Sequence, residues 1–180
     1  RIGSLREWME REEGDEVVAG VIREALTAMS EKAGWEIVEL ESAKLEASLD
    51  RPLEGYFVSA YDFKQDVNAY LRANPEMGFS DLEELLALGK HHPKVDLRTQ
   101  KSIAMRSEDE STYYREMAQR KVVRRALLRL LAENSLDALA YPSVRHVAAL
   151  IGEDQMGTNC RLAACSGVPA ISVPAGFYRE

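Results

Sequence analysis

The sequence has 180 residues, enough for one domain with a full hydrophobic core. Hydrophobic residues make up 46% and charged residues 29%, which is typical of a soluble globular protein. The net charge of −7 argues against a nucleic acid or an anionic membrane face as partner, because both are bound by basic surfaces. No apolar run approaches the roughly 20 residues that span a bilayer.

The two ends of the sequence predict a segment of a longer protein. The first residues, R-I-G-S-L, carry no initial Met and already resemble the inside of a strand. The last residues, Tyr178 to Glu180, directly follow another strand-like run. No signal-peptide pattern is present at the first residues.

Two cysteines, Cys160 and Cys165, are too few for a disulfide scaffold. Their spacing places them on different faces of a helix, so a bridge between them is not expected. We predict two buried, reduced thiols and a cytoplasmic location.

Residues 1–40 predict a strand, a helix and a second strand. Residues 1–5 form the first strand, and Gly14-Asp15 opens a helix that Gly34 ends. "WEIVEL" (35–40) alternates apolar and polar residues, as a strand with one buried face does. This order favours two parallel strands. The apolar face of the helix is formed by Val18, Ile22, Ala25 and Met29.

The middle of the chain predicts helices. One lies within 56–72 and ends at Asn74-Pro75; a second is capped by Ser80, with Glu83 completing a capping box. Residues 90–110 predict loop or short helix. A long helix runs from about Ser111 to Asn134. Its inward residues are predicted to be Tyr114, Ala118, Val123, Leu127, Leu130 and Leu131.

Residues 136–180 hold four acids and three bases, so this less charged portion is the candidate for the buried sheet layer. It predicts a strand in "DALAYPS" (137–143), a helix over 158–166 with Gly167 as its left-handed exit, and a buried strand in "AISV" (170–173). Over 1–180 we therefore predict a single α/β segment. Its sheet is part of a mixed, largely parallel one covered by helices.

The spacing of the potential catalytic and metal-binding residues along the chain matches no known catalytic motif. "HHPK" (91–94) lacks two imidazoles on one helical face, so no metal site is predicted. GxSxG, SxxK and P-loop patterns are absent. Ser166 is interpreted as structural, because Gly167 and Pro169 mark a helix end.

Two charged clusters favour solvated surface. A basic stripe on the long helix has acids four residues away, Glu116 before Arg120 and Glu133 after Arg129, which favours ion pairs. Asp62, Lys64 and Asp66 form either a polar patch over a cleft or the exposed face of an amphipathic helix, and the second is preferred. The stripe consists of Arg120, Lys121, Arg124, Arg125 and Arg129.

"LDALAYPS" (136–143), followed by "NCRLAACSGVPAISVPAGF" (159–177), resembles the C-terminal part of amidase signature family hydrolases. "YDFKQDVNAYL" (61–71) and the opening "RIGSLRE" are similar to the region that follows the signature of that family. The resemblance runs in order over most of the chain. It implies a large mixed sheet covered by helices on both sides.

The resemblance implies a Ser–cis-Ser–Lys mechanism of amide hydrolysis without metal or organic cofactor. Those residues lie upstream of a "RIGSLRE"-like strand in the family, and nothing here matches them. No catalytic residue is therefore assigned. Phe63, Asp66, Asn68 and Asn159 are the candidates for lining the substrate pocket. For Asn159 a different role is preferred, because Thr158 or Asn159 is well placed to cap the helix predicted over 158–166.

We thus expect the C-terminal portion of an amidase, inactive alone, whose partners are a small-molecule amide and the remainder of the amidase domain. A homo-oligomer is compatible with this expectation. The alternative is a stand-alone, non-catalytic α/β binding or interaction domain, since no constellation is present. The coding sequence upstream of Arg1 discriminates between them.

Overall fold

A computed structural model describes residues 1–5, 8–9, 16–41, 45, 58–92, 95, 103 and 110–178. The chain divides into two compact units, and each is treated by itself. Unit 1 comprises Arg1–Gly55 and Arg120–Glu180, and unit 2 comprises Tyr56–Gln119. Asp15, Phe57 and most of 90–110 lie outside the described residues, so the predictions made for them stay predictions.

Unit 1 contains a three-stranded sheet with the order β2-β1-β3. The strands are β1 (Ile2–Leu5), β2 (Ile37–Leu40) and β3 (Ala138–Ala140). Both neighbours run parallel to β1, with Ile2 opposite Ile37 on one side and opposite Ala138 on the other. The α/β fold and the predicted parallel pair are confirmed.

Helix α1 (Glu16–Ala33) joins β1 to β2 and packs through an apolar face centred on two buried residues, Ala19 and Leu26. These contact Met9 in one core cluster, with Ile22 and Met29 packed against it. The predicted face contained Ile22 and Met29 but had Val18 and Ala25 in place of Ala19 and Leu26. Two of the four positions are displaced by one residue and two are shared, so the observed face lies about 50° around the helix from the predicted one.

The end of α1 explains why β2 begins later than expected. Gly34 adopts a left-handed φ of 69°, and its N–H donates to Ser30 O over 3.0 Å. The N–H of Trp35 donates to Met29 O over 3.3 Å, so this residue closes the helix instead of opening the strand. The strand predicted from Trp35 therefore starts at Ile37.

Unit 2 contains α2 (Ser59–Ala73), a 3-10 turn (Pro75–Met77) and α3 (Leu82–Ala87). The N-cap of α3 is Asp81, whose carboxylate accepts the N–H of Glu84 over 2.9 Å. Glu84 in turn accepts the N–H of Ser80 over 2.8 Å. The predicted capping box was wrong by one residue, because the aspartate after Ser80 competes successfully for the cap.

Helix α4 (Glu110–Glu133) runs from unit 2 into unit 1. Its buried apolar residues are Val123, Ala126, Leu127 and Leu130. Tyr114 is exposed although it was predicted inward, because it lies nine residues, or about 180° around the helix, from Val123. Glu116 lies seven residues from Val123, on the same face, and is buried. Ala118 is also exposed, contrary to prediction.

The C-terminal part of unit 1 contains a short helix, α5 (Arg161–Ser166), which ends at Gly167 with the predicted left-handed φ of 64°. The strand predicted over 170–173 is absent from the structure, and Ile171 is 87% exposed. A strand requires a neighbour for its hydrogen bonds. No described strand lies alongside these residues, and all four are exposed.

Candidate functional site

The carboxyl ends of the three parallel strands in unit 1 lie at one edge of the sheet, where α/β proteins place their ligands. Trp8 and Met9 follow β1, and Tyr141 to Ser143 follow β3. We call this group of strand-end loops the carboxyl edge. It is the candidate functional site of unit 1.

Asn159 joins the two loops of the carboxyl edge. It is 7% exposed, and its side-chain amide donates to Trp8 O and to Pro142 O, each over 3.0 Å. Its backbone N–H donates to Ser143 O over 3.0 Å. The preferred prediction, a helix cap by Thr158 or Asn159, was wrong: Cys160 is the N-cap of α5 and forms no side-chain cap hydrogen bond. The amide is used in tertiary contacts instead.

Trp8 and Tyr141 form an edge-to-face pair with their ring centroids 5.4 Å apart. Trp8 is buried, so the pair closes one side of the carboxyl edge against the core. Burial raises the pKa of the Tyr141 phenol, and the nearby Cys160 thiol raises it further. Cys160 is exposed, contrary to the prediction of two buried thiols, whereas Cys165 is buried; both are free.

The raised pKa of Tyr141 predicts a pH effect. Because its folded-state pKa lies above the ordinary value of about 10, the corresponding stability is complete below that pH and is lost as pH rises through the folded pKa. We expect Tyr141→Phe to remove one late component from the absorbance titration of the phenolates and to flatten the alkaline loss of stability. An unchanged titration curve would contradict the assignment.

Residues 143–146 lie against 157–159 beside the carboxyl edge. Val144 and Thr158 form an isolated antiparallel bridge, and the N–H of Arg145 donates to Gly157 O over 2.9 Å. Gly157 has a φ of 70°, and a Cβ there would lie 2.4 Å from the His146 ring. The left-handed backbone, together with this close approach, favours glycine at position 157. Further along the chain, the hydroxyls of Ser143 and Ser172 are 3.0 Å apart.

Two arginines of α4 bind the carboxyl end of α5. Arg120 donates to Ala164 O over 2.7 Å and to Cys165 O over 3.3 Å. Arg124 donates to Gly167 O over 3.0 Å and to Ser166 O over 3.3 Å. The last carbonyls of a helix lack intrahelical donors and carry partial negative charge, which a guanidinium satisfies. The predicted ion-paired stripe is confirmed at Arg129, which contacts Glu133 over 3.5 Å.

We expect Arg120→Ala and Arg124→Ala each to lower the free energy of unfolding by about 1–2 kcal/mol, because each leaves helix-end carbonyls without their charged donor. Urea unfolding followed by circular dichroism measures the change. Lys121→Ala and Arg125→Ala on exposed faces of the same helix are the controls and should alter it by less than about 0.5 kcal/mol. Equal losses in all four variants would contradict the role in binding α5.

Three candidate pocket residues lie on α2 in unit 2. Phe63 is 38% exposed, and Asp66 is also exposed. The Asn68 side-chain oxygen accepts the N–H of Leu82 over 2.8 Å, so this side chain joins α2 to α3. Lys64 pairs with Glu83, and this contact lowers the pKa of Glu83. Asp66 is exposed as preferred, whereas Asp62 and Lys64, predicted on the same exposed face, are half-buried. Contact of Phe63, Asp66 and Asn68 with substrate stays a prediction.

A tyrosine pair in unit 2 was missed from the sequence. Tyr113 Oη donates to Asp62 Oδ2 over 3.2 Å, and its ring lies edge-to-face with that of Tyr61, 5.9 Å between centroids. Desolvation raises the pKa of Tyr113, and the charge of Asp62 and its hydrogen bond raise it further. Tyr113 and Asp62 are 51 residues apart in sequence, so no local sequence pattern predicts their contact.

The hydroxyl of Ser166, the last residue of α5, makes contacts within the end of its own helix. Ser166 is buried; its hydroxyl donates to Ala163 O over 3.4 Å and accepts the N–H of Val168 over 3.3 Å. It closes the helix end, as predicted.

Within the described residues no group of three His, Cys, Asp or Glu could hold a metal ion. None of the described helices is long and apolar enough to cross a membrane.

A family model described as Amidase matches residues 1–180. This chain belongs to the amidase family. Membership confirms the resemblance found in the C-terminal motifs and agrees with the α/β fold of unit 1. No curated protein matches the sequence, and no solved structure matches it. In this amidase family chain, the carboxyl edge of unit 1 and the exposed face of α2 in unit 2 are the two candidate regions.

Proposed function

We propose that this chain forms part of an amide-hydrolysing enzyme and that its nucleophile is supplied by residues outside the 180-residue sequence. The observation that carries the proposal is the amidase family match over residues 1–180. The resemblance of the C-terminal motifs to the amidase signature family supports a serine–lysine mechanism. The fitting substrate is a small-molecule carboxylic amide.

In that mechanism a serine Oγ attacks the amide carbonyl carbon while its proton passes through a second serine to lysine. The C–N bond breaks, the leaving amine takes up a proton, and water then hydrolyses the acyl ester to release the carboxylic acid. The present chain would line the substrate pocket and position the loops around it, and would supply none of the reacting atoms. Its partner in this reaction is the remainder of the amidase domain.

The candidate residues divide into two kinds by their contacts. Phe63 and Asp66 have exposed side chains and are proposed to contact substrate directly. Asn68 and Asn159 already bind protein backbone, so they are proposed to act by positioning the segments they join. The free thiols of Cys160 and Cys165 support a reducing, cytoplasmic location.

Hydrolysis assays with two proteins test the proposal: the 180-residue chain and the product of the same gene read further upstream. Ammonia release from propionamide and benzamide is measured for each, together with labelling by a fluorophosphonate that reacts with activated serines. We expect turnover and labelling for the longer protein and neither for the 180-residue chain. Replacing the labelled serine with alanine should abolish both signals.

Turnover by the purified 180-residue chain itself would overturn the assignment of the nucleophile to residues outside it. A start codon at the position of Arg1 would favour the stand-alone binding domain and would also overturn it. Substituting Asp66 with asparagine in the longer protein tests substrate contact, because a direct contact should raise KM while the overall fold, followed by circular dichroism, stays unchanged.

A further inference from the structure

Helix α5 is bound at both of its ends by residues outside it. Immediately before its N-cap, the Asn159 side chain binds Trp8 O in the loop after β1 and Pro142 O in the loop after β3. At its last residues, Arg120 and Arg124 of α4 bind backbone carbonyls. These arginines and the carbonyls are 42 to 45 residues apart in sequence. α5 therefore joins α4 to the carboxyl edge.

The carboxyl end of α5 receives a guanidinium donor at each of four successive carbonyls, those of residues 164–167. Arg120 donates to the first two and Arg124 to the last two, over 2.7 to 3.3 Å. The arginines are four residues apart on α4, so their side chains leave the same face of that helix. The last carbonyls of a helix have no intrahelical donor and carry partial negative charge, which these two charges satisfy. The position of this end is therefore set by α4.

α5 is short and packed, so its two ends move together. Its six residues make fewer than two turns, and the N–H of Ala164 donates to Cys160 O over 3.2 Å. Leu162 and Cys165 are 1% and 8% exposed. Close-packed segments of this kind transmit a displacement instead of absorbing it. A shift of the carboxyl end is thus carried to Asn159 and, through its amide, to both strand-end loops.

We propose that Arg120 and Arg124 are positioning residues of the carboxyl edge and act on it through α5 and Asn159. The consequence for catalysis rests on the proposed function, since it requires an amide substrate at this edge. Displacing a substrate-positioning loop by about 1 Å can cost about 100-fold in rate. The two arginines are therefore expected to influence turnover, although the groups they bind are backbone carbonyls of α5.

A double-mutant cycle on the 180-residue chain tests the coupling between the two ends of α5. Arg120→Ala and Asn159→Ala are made singly and together, and urea unfolding gives the equilibrium constant of each variant. The two side chains bind different partners, so independent sites would multiply their effects. We expect the double variant to lose at least about threefold less than the product of the single losses, because releasing either end of α5 already frees the other. Lys121→Ala, at an exposed position of α4, combined with Asn159→Ala is the control, and its effects should multiply.

Turnover in the longer protein tests the positioning role. Ammonia release from the same two amides is measured at a temperature at which circular dichroism shows every variant to be folded. We expect Arg120→Ala and Arg124→Ala to lower kcat by about tenfold and to change KM less. Arg120→Lys and Arg124→Lys should retain more turnover than alanine, since lysine keeps a charged donor but not the fork that binds two carbonyls. Lys121→Ala and Arg125→Ala, exposed on the same helix, are the controls and should leave turnover unchanged.

Losses that multiply fully in the cycle would overturn the proposal, because the two ends of α5 would then be independent. Folded alanine variants with the turnover of the unmodified protein would overturn it as well, since the arginines would then only stabilise the chain. If the unmodified longer protein hydrolyses neither amide and is not labelled by the fluorophosphonate, the proposed function fails, and the cycle alone decides whether α4 positions the carboxyl edge.

Discussion

Replacing Gly3 with alanine is expected to lower the free energy of unfolding by about 1–3 kcal/mol, through overpacking. Gly3 lies in the central strand, where an added Cβ would stand 2.7 Å from side-chain carbons of Leu40, Leu136 and Leu139. Real Cβ contacts are not this short, so the leucines would have to move together. Urea unfolding at neutral pH measures the loss.

Gly20→Ala is the matched control, because a Cβ at this position in α1 would meet no atom within 4 Å. Alanine is a better helix former than glycine, so this variant should gain about 0.5–1 kcal/mol of stability. The same chemical change is therefore expected to act in opposite directions at two sites. A stabilised Gly3→Ala chain would show that the three leucines do not enclose the strand.

Asn159→Leu is expected to lower the free energy of unfolding by about 2–4 kcal/mol, because it removes the buried hydrogen bonds that the Asn159 amide donates to Trp8 O and Pro142 O. Leucine has the branching of asparagine but larger, apolar branches, so the variant leaves no cavity and its loss of stability combines the missing hydrogen bonds with tighter packing. Thermal unfolding followed by circular dichroism measures it. In the longer amide-hydrolysing protein proposed above, we expect the same variant also to reduce turnover by displacing the strand-end loops.

Asn74→Leu is the control for Asn159, because the Asn74 amide donates to the Tyr70 carbonyl at an exposed helix end, where water can replace it. We expect a change below about 0.5 kcal/mol. If the two variants were equally stable, the amide of Asn159 would not be what holds the loops of β1 and β3 together.

The elements that were predicted correctly depend on local chemistry. Gly34 and Gly167 both adopt the left-handed conformation expected of a helix exit. Each of the three strands lies within a short run for which a strand was predicted, namely 1–5, 35–40 and 137–143. Periodicity also predicted two of the four residues on the apolar face of α1, Ile22 and Met29. Each of these signals lies within a few residues of the feature it predicts.

The contacts that were missed join distant residues. Asn159 and Trp8 are 151 residues apart, and Arg120 binds a carbonyl 44 residues away. A side chain that could form a local cap or ion pair can instead bind a residue distant in sequence, and the local sequence pattern does not distinguish the two outcomes. The prediction of a strand in "AISV" (170–173) was wrong for a related reason. The composition of this run favours a strand, but a strand forms only where a neighbouring strand is present to pair with it.

The ring contact between Trp8 and Tyr141 gives the carboxyl edge an intrinsic optical probe. The chain has two tryptophans, Trp8 at 3% and Trp35 at 47% exposure. Trp8 should emit at shorter wavelength and be shielded from acrylamide, whereas Trp35 should be quenched readily. Fluorescence of the unlabelled chain can therefore distinguish loosening of the strand-end loops from changes at the far end of α1.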